Sequence, residues 1–220
     1  MLRGRGAGCR ARCTFPERED KSAATYGHRK AECERVLFQS EIQSVIFRPA
    51  LVYGPYDTTD RLYYWLYQVQ KGLPCLLPNG GNQTFSMTWV GDLVASIVSC
   101  LGVQPKNDVF NVISTPQSSL KRLLAEIAIS AGKEPLIENR DGAFVKHQGL
   151  KEWTDIPLWL DCDYFTYSNK RAIEQKLLVP TTLKESMPPT WNFFEKMGWP
   201  EPQFGISEER KRMVLGIEKG

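Results

Sequence analysis

An α/β protein with a parallel sheet and a smaller, mostly helical lid is what the sequence predicts, and three observations carry that expectation. Strand-like runs alternate with helix-period stripes from residue 26 to residue 132. The segments joining successive strands run to a dozen residues or more, as crossovers between parallel strands require. From Lys133 the rhythm breaks into short irregular pieces that include Pro135, Trp153, Pro157 and Trp159.

Each element has its own signal. Residues 26–39 (YGHRKAECERVLFQ) read as a helix with Ala31, Val36 and Leu37 inward and charges outward. VIFRPALVYGP (45–55) is a β-branched and aromatic run closed by Gly54-Pro55, which predicts a buried strand entering a loop. In 59–72, Leu62, Trp65, Leu66 and Val69 form a helical stripe that Thr59 or Asp60 can cap and Gly72 stops. A short strand lies between Pro74 and Pro78, and NGGN (79–82) is a turn. The stretch 83–102 alternates, then changes period at Gly91. It predicts a short strand and a helix over 92–101 that Asp92 caps and that buries Leu93, Val94, Ile97, Val98 and Leu101. A strand at 108–114 and a helix at 118–132, capped by Ser118 or Ser119 and stopped by Gly132, follow. Two further helices are expected at 168–177 and 186–199, the second broken near its start by Pro188-Pro189.

Composition bounds the function. With 220 residues the chain can bury one sizeable core, or one core with an appended lid. A net charge of +3 gives no bulk electrostatic case for nucleic acid or an anionic membrane as partner. No stretch approaches the roughly eighteen apolar residues of a membrane-spanning helix. The basic bias is local, in MLRGRGAGCRARC, so residues 1–20 are expected as a disordered basic head without the apolar core of a secretory signal. Residues 21–132 then form the sheet domain, 133–200 the lid and closing helices, and 201–220 a flexible tail. Six irregularly spaced cysteines, in a chain that needs no disulfide staples, fit a reducing, cytoplasmic setting. Cys9 and Cys13 with His28 lack a second pair at a zinc-site spacing, so no metal is expected.

The sharpest chemical feature is Tyr26 with Lys30, four residues on. A tyrosine ionises near pH 10, too high for ready proton exchange at neutrality, and an ammonium one helical turn away lowers the cost of its phenolate. Such a phenol gives a proton to a carbonyl oxygen as hydride arrives, or takes one from a hydroxyl as hydride leaves. The lysine can also reach the ribose hydroxyls of a nicotinamide cofactor. The bland alternative is a chance spacing on a polar helix surface.

The neighbourhood favours the pair. YGHRK is followed by RPALVYGP, by VGDLVA and by NKRAIEQKLLVPTTLKESMPPTWNFF. In this order and spacing, over about residues 23–200, the chain resembles the C-terminal part of the extended short-chain dehydrogenase/reductase family of NAD-dependent epimerases, dehydratases and reductases. The resemblance implies Tyr26 and Lys30 as catalytic residues. It implies Lys30, Pro49, Ala50, Leu51 and Val52 along NAD or NADP, and Tyr53, Arg61, Gln83 and Phe85 toward a small-molecule substrate. The implied reaction is hydride transfer at a carbonyl or secondary alcohol.

The resemblance also implies a glycine-rich turn between a first strand and helix to cradle the cofactor pyrophosphate. RGRGAG (3–8) has neither flank, and Thr14, the nearest hydroxyl to serve beside the tyrosine, sits in a strandless stretch. The expectation is therefore an incomplete doubly wound (Rossmann-like) sheet whose N-terminal dinucleotide-binding half is missing. Cofactor binding should be weak or absent and the isolated chain inactive. A missing N-terminal half, or a second copy in a homo-dimer, would be the macromolecular partner. The rival expectations are a non-enzymatic remnant or interaction module and, third, an RNA-binding protein on the same fold.

Overall fold

The computed structural model describes residues 25–101 and 107–217. The basic head, with Cys9, Cys13 and Thr14, lies outside those residues. The first helix, α1 (Tyr26–Gln39), is followed by a single extended run that changes partner at Ala50. Its first part, β1 (Val45–Pro49), pairs in parallel with β5 (Asp108–Val112), Phe47 opposite Phe110. Its second part, β2 (Leu51–Tyr53), pairs in parallel with β4 (Thr84–Trp89), Tyr53 opposite Trp89. Thr88 stitches the junction: its hydroxyl accepts from Ala50 N (2.9 Å) and donates to Val112 O (2.6 Å).

A second parallel pair joins β3 (Pro74–Pro78) to β7 (Leu136–Arg140). The short β8 (Tyr164–Phe165) lies parallel to the start of β4. The fold is thus α/β with parallel strands flanked by helices, in three small sheets. One pairing departs from the parallel expectation. β6 (Thr115–Ser118) runs antiparallel to β4, because only Ile113 and Ser114 separate it from β5, too few for a crossover.

The remaining helices are α2 (Tyr63–Lys71), α3 (Val90–Ser99), α4 (Leu120–Ala131), α5 (Gly142–His147), α6 (Lys170–Glu174), α7 (Leu183–Lys196) and α8 (Glu208–Leu215). Gly72 and Gly132 end α2 and α4 in the left-handed conformation. Ser119 caps α4 by accepting from Arg122 N. The stripe expected of α2 is fully buried, and Tyr63 and Tyr64 widen it. Neither Thr59 nor Asp60 caps α2: Asp57 accepts from Thr59 N instead, and Asp60 takes a positive φ and accepts from Gln203 N.

Several expectations are corrected by what covers each face. α1 buries no residue, and Val36 is 52% exposed. α3 buries Asp92 and Ser96, whereas Val94, Ile97, Val98 and Leu101 are exposed. An apolar stripe shows which side of a helix can be buried; it does not show that anything lies against it. Asp92 does not cap α3 either. Its carboxylate accepts from Thr181 N (2.9 Å) and Thr181 Oγ1 (2.6 Å), tying α3 to the approach to α7.

The lid is not separate from the sheet domain. One hydrophobic cluster takes Trp65 from α2, Leu76 from β3, Leu124 from α4, Trp159 from the irregular segment and Met187 from α7. Trp65 Nε1 donates to Pro157 O across that boundary (3.0 Å). α7 starts at Leu183, earlier than expected, and runs through Pro188 and Pro189 unbroken. A reciprocal Thr182–Glu185 capping box holds its first turn. α6 is shorter than expected, ending before Lys176, which has a positive φ. The stretch expected as a flexible tail carries α8, whose Lys211 is buried against Gln68 and Glu208.

Candidate functional site

Tyr26 opens α1 and Lys30 follows one turn later, so the two side chains share a helix face. Both are exposed. Arg48 on β1 grips Glu34 on α1, Nε to Oε1 at 2.7 Å. Tyr26 lies eight residues before Glu34, about 12 Å along the helix. The segment expected to pass the nicotinamide, residues 49–52, follows Arg48 directly.

In that segment Pro49 is exposed, Ala50 and Val52 are half-buried, and Leu51 is buried. The chain leaves β2 through Gly54 at φ +129, where a Cβ would lie 2.8 Å from Val90 Cγ1 and 3.2 Å from the Trp89 ring. Only glycine fits that corner. Two polar atoms flank it without a partner: Trp89 Nε1, a donor, and Asp57 Oδ2, an acceptor. Orphaned buried groups at the carboxyl ends of parallel strands are what a ligand would satisfy. Sequence reasoning missed both residues, although Trp89 immediately precedes the quoted VGDLVA stretch.

Among the described residues, no strand runs through a glycine-rich turn into a helix to hold a pyrophosphate.

The four residues expected at the substrate are not gathered in one place. Gln83 lines an open cavity of about 510 Å³ with Asn79, Asn82, Leu160, Asp161 and Asp163, at the carboxyl end of β3. Its Oε1 accepts from Leu160 N (2.9 Å) and its Nε2 donates to Cys162 Sγ (3.3 Å). Phe85 and Tyr53 are each 1% exposed, inside the core. The Tyr53 hydroxyl bonds Ser186 Oγ at 2.6 Å, and burial pushes its ionisation far above the ordinary range. Arg61 lays its guanidinium over the Trp153 ring, 4.7 Å from the centroid. Trp153 N in turn donates to Trp159 O, behind the cavity wall.

Residues 7–112 match the model of the NAD dependent epimerase/dehydratase family. Over that span the chain resembles this family. A UDP-glucose 4-epimerase from Vibrio cholerae is 32% identical over 136 residues, 58% of this chain and 40% of that protein. The fold is similar to that of Bacillus cereus UDP-glucuronic acid 4-epimerase, solved with UDP-glucuronic acid and NAD. The TM-score is 0.59 at 17% identity, over 76% of this chain and 50% of that one. The UDP-glucose 4-epimerase of Thermus thermophilus, solved with NAD, gives 0.58 at 17% identity over 82% and 59%.

These matches correct one expectation. The sequence motifs place the start of the likeness near residue 23, behind an unrelated head, as a C-terminal part with the N-terminal half missing. The family match instead begins at residue 7 and runs to residue 112, and the structural likeness spans most of the chain. The chain spans 40% of the length of the Vibrio relative and about half that of the solved epimerases. Among the described residues no helix is long and apolar enough to cross a membrane.

Proposed function

We propose that the chain carries the acid/base end of an NAD(P)-dependent hydride-transfer site of the epimerase, dehydratase or reductase kind, acting on a carbonyl or secondary alcohol. Tyr26 holds a proton at the substrate oxygen, giving it as negative charge develops there and taking it back in the reverse direction. Lys30 offsets the charge of the phenolate from one helical turn away and faces the cofactor ribose. Pro49, Ala50, Leu51 and Val52 form the wall beside the nicotinamide, with Leu51 excluding water. When bound, the nicotinamide supplies or accepts the hydride. Gln83 meets the substrate from the cavity wall. Tyr53, Arg61 and Phe85 are positioning residues, acting through Ser186, Trp153 and the core respectively.

The observation that carries this reading is that Tyr26 and Lys30 lie one turn apart on a single exposed face of α1, the helix that Arg48 of β1 grips through Glu34. It is supported by the family match over the same residues. Turnover of Tyr26→Phe and Lys30→Met variants tests it: both should fall steeply, and an unchanged rate in either removes that residue from the mechanism.

A second reading, a non-catalytic interaction module or homo-dimer, is favoured by one observation. α1 and α3 expose Val36, Phe38, Val94 and Val98, and Leu101 just beyond α3 is exposed too. Sedimentation over a range of concentrations tests its homo-dimer form, which requires self-association.

A further inference from the structure

β7 has an open edge. Among the described residues it pairs with β3 alone, in a two-stranded parallel sheet. Parallel strands are ordinarily covered on both faces. Here Leu136 is 54% exposed, and Ile137, on the opposite face, is 44% exposed. An edge of this kind is a template for a further strand.

The sequence around β7 selects which strand fits. In KEPLIENRD (133–141) the charges are antisymmetric about Ile137. Glu134 and Arg140 stand at equal distances on either side of it, and so do Lys133 and Asp141. Turned end for end, the segment lays opposite charge against itself. In an antiparallel pair of two copies with Ile137 opposite Ile137, Glu134 of each chain meets the partner's Arg140, and Lys133 meets the partner's Asp141.

These groups have capacity for such partners. Glu134 is exposed and forms no ion pair among the described residues. Arg140 uses Nη1 alone, on Glu138 Oε2 (3.1 Å) and Asn139 O (2.8 Å). Lys133 donates to neutral acceptors, Gln70 O (2.8 Å) and Oε1 (2.9 Å). Asp141 caps α5 through Oδ1. Beside the start of β7 lies an open depression of about 420 Å³, lined by Ala125, Ala128, Ile129, Gly132, Lys133 and Glu134. Ile129 in it is 73% exposed. The same register brings the end of the partner's β7 against Lys133 and Glu134 on its rim.

We propose that β7 is a self-association edge: two copies pair β7 to β7 in antiparallel fashion and join their two-stranded sheets into one. This surface is separate from α1 and α3, and it is independent of any role for Tyr26 or Lys30.

The test is sedimentation velocity on the full chain under reducing conditions, from about 1 to 200 μM. The unaltered chain should form a reversible dimer. Arg140→Glu and Glu134→Arg each set like charges opposite one another, and each should weaken the dimer tenfold or more. Mixing the two variants sets opposite charges against each other at both positions and should return a dimer, which misfolded chains would not do. Val98→Asp, on α3, should leave the dimer unchanged. A monomer throughout the range overturns the proposal and leaves the edge to a strand of another protein. A dimer that both charge variants retain overturns it too, as an interface through α1 and α3 would give. So do folded variants that stay monomeric when mixed.

Discussion

Arg48 on β1 grips Glu34 on α1 through two nitrogens of one guanidinium, joining helix and strand across fourteen positions of sequence. Both side chains are partly exposed, at 47% and 20%. The bridge is therefore worth no more than about 1 kcal/mol of global stability. Its local effect is larger, because α1 buries no residue. Arg48→Met should speed amide exchange across residues 26–39 severalfold while the urea midpoint hardly moves. Unaltered exchange there would show that something other than this bridge holds α1.

Tyr53 and Ser186 form a buried hydroxyl pair between β2 and α7. Tyr53→Phe keeps the ring and removes the bond. Urea unfolding should show a loss of about 1 kcal/mol, and cofactor affinity should stay the same. A clear change in cofactor affinity would mean that Tyr53 contacts the ligand directly.

Burial pushes the Cys75 thiol from 9.0 up to about 12. The folded chain keeps that proton while the unfolded chain releases it above about pH 9. Stability from the neutral thiol is therefore complete below pH 9 and is lost progressively as pH rises toward 12. Lys211 acts in the opposite sense: burial lowers its pKa from 10.5, so the cost of its buried charge lifts as pH rises toward that value. Relative to the unaltered chain, Cys75→Ala should flatten the decline in urea stability above pH 9 by up to about 1.4 kcal/mol per pH unit. Identical slopes would show that the thiol titrates alike in both states.

Among the described residues, no strand runs through a glycine-rich turn into a helix to hold a pyrophosphate. Calorimetry on the 220-residue chain should give a dissociation constant for NAD(H) or NADP(H) weaker than about 10 μM, roughly −7 kcal/mol. Tighter binding would require a pyrophosphate grip elsewhere in the chain.

Periodicity and punctuation made most of the elements legible before any coordinates. α1 and α4 follow from their stripes, and Gly72 and Gly132 mark the ends of α2 and α4. The position of Tyr26 and Lys30 on one face needs only helix geometry. What sequence could not give was which faces are covered. The apolar side of α3 looks like core and is exposed, while Phe85 and Tyr53 look like site residues and are packed inside. α8 was hidden because the residue it buries is a lysine, held by Gln68 and Glu208, which no hydrophobic pattern reveals. The orphaned Trp89 Nε1 and Asp57 Oδ2 depend on three-dimensional neighbours and leave no local signal.

The central claim is that Tyr26 moves the proton that accompanies hydride transfer. The direct measurement is turnover, followed as NADH absorbance over a panel of carbonyl and secondary-alcohol substrates, comparing the unaltered chain with Tyr26→Phe. The account predicts a fall in kcat of about 10²- to 10⁴-fold with little change in cofactor affinity. Cofactor is supplied at millimolar concentration, far above the expected dissociation constant, and equal, measurable turnover in the two proteins would contradict the account.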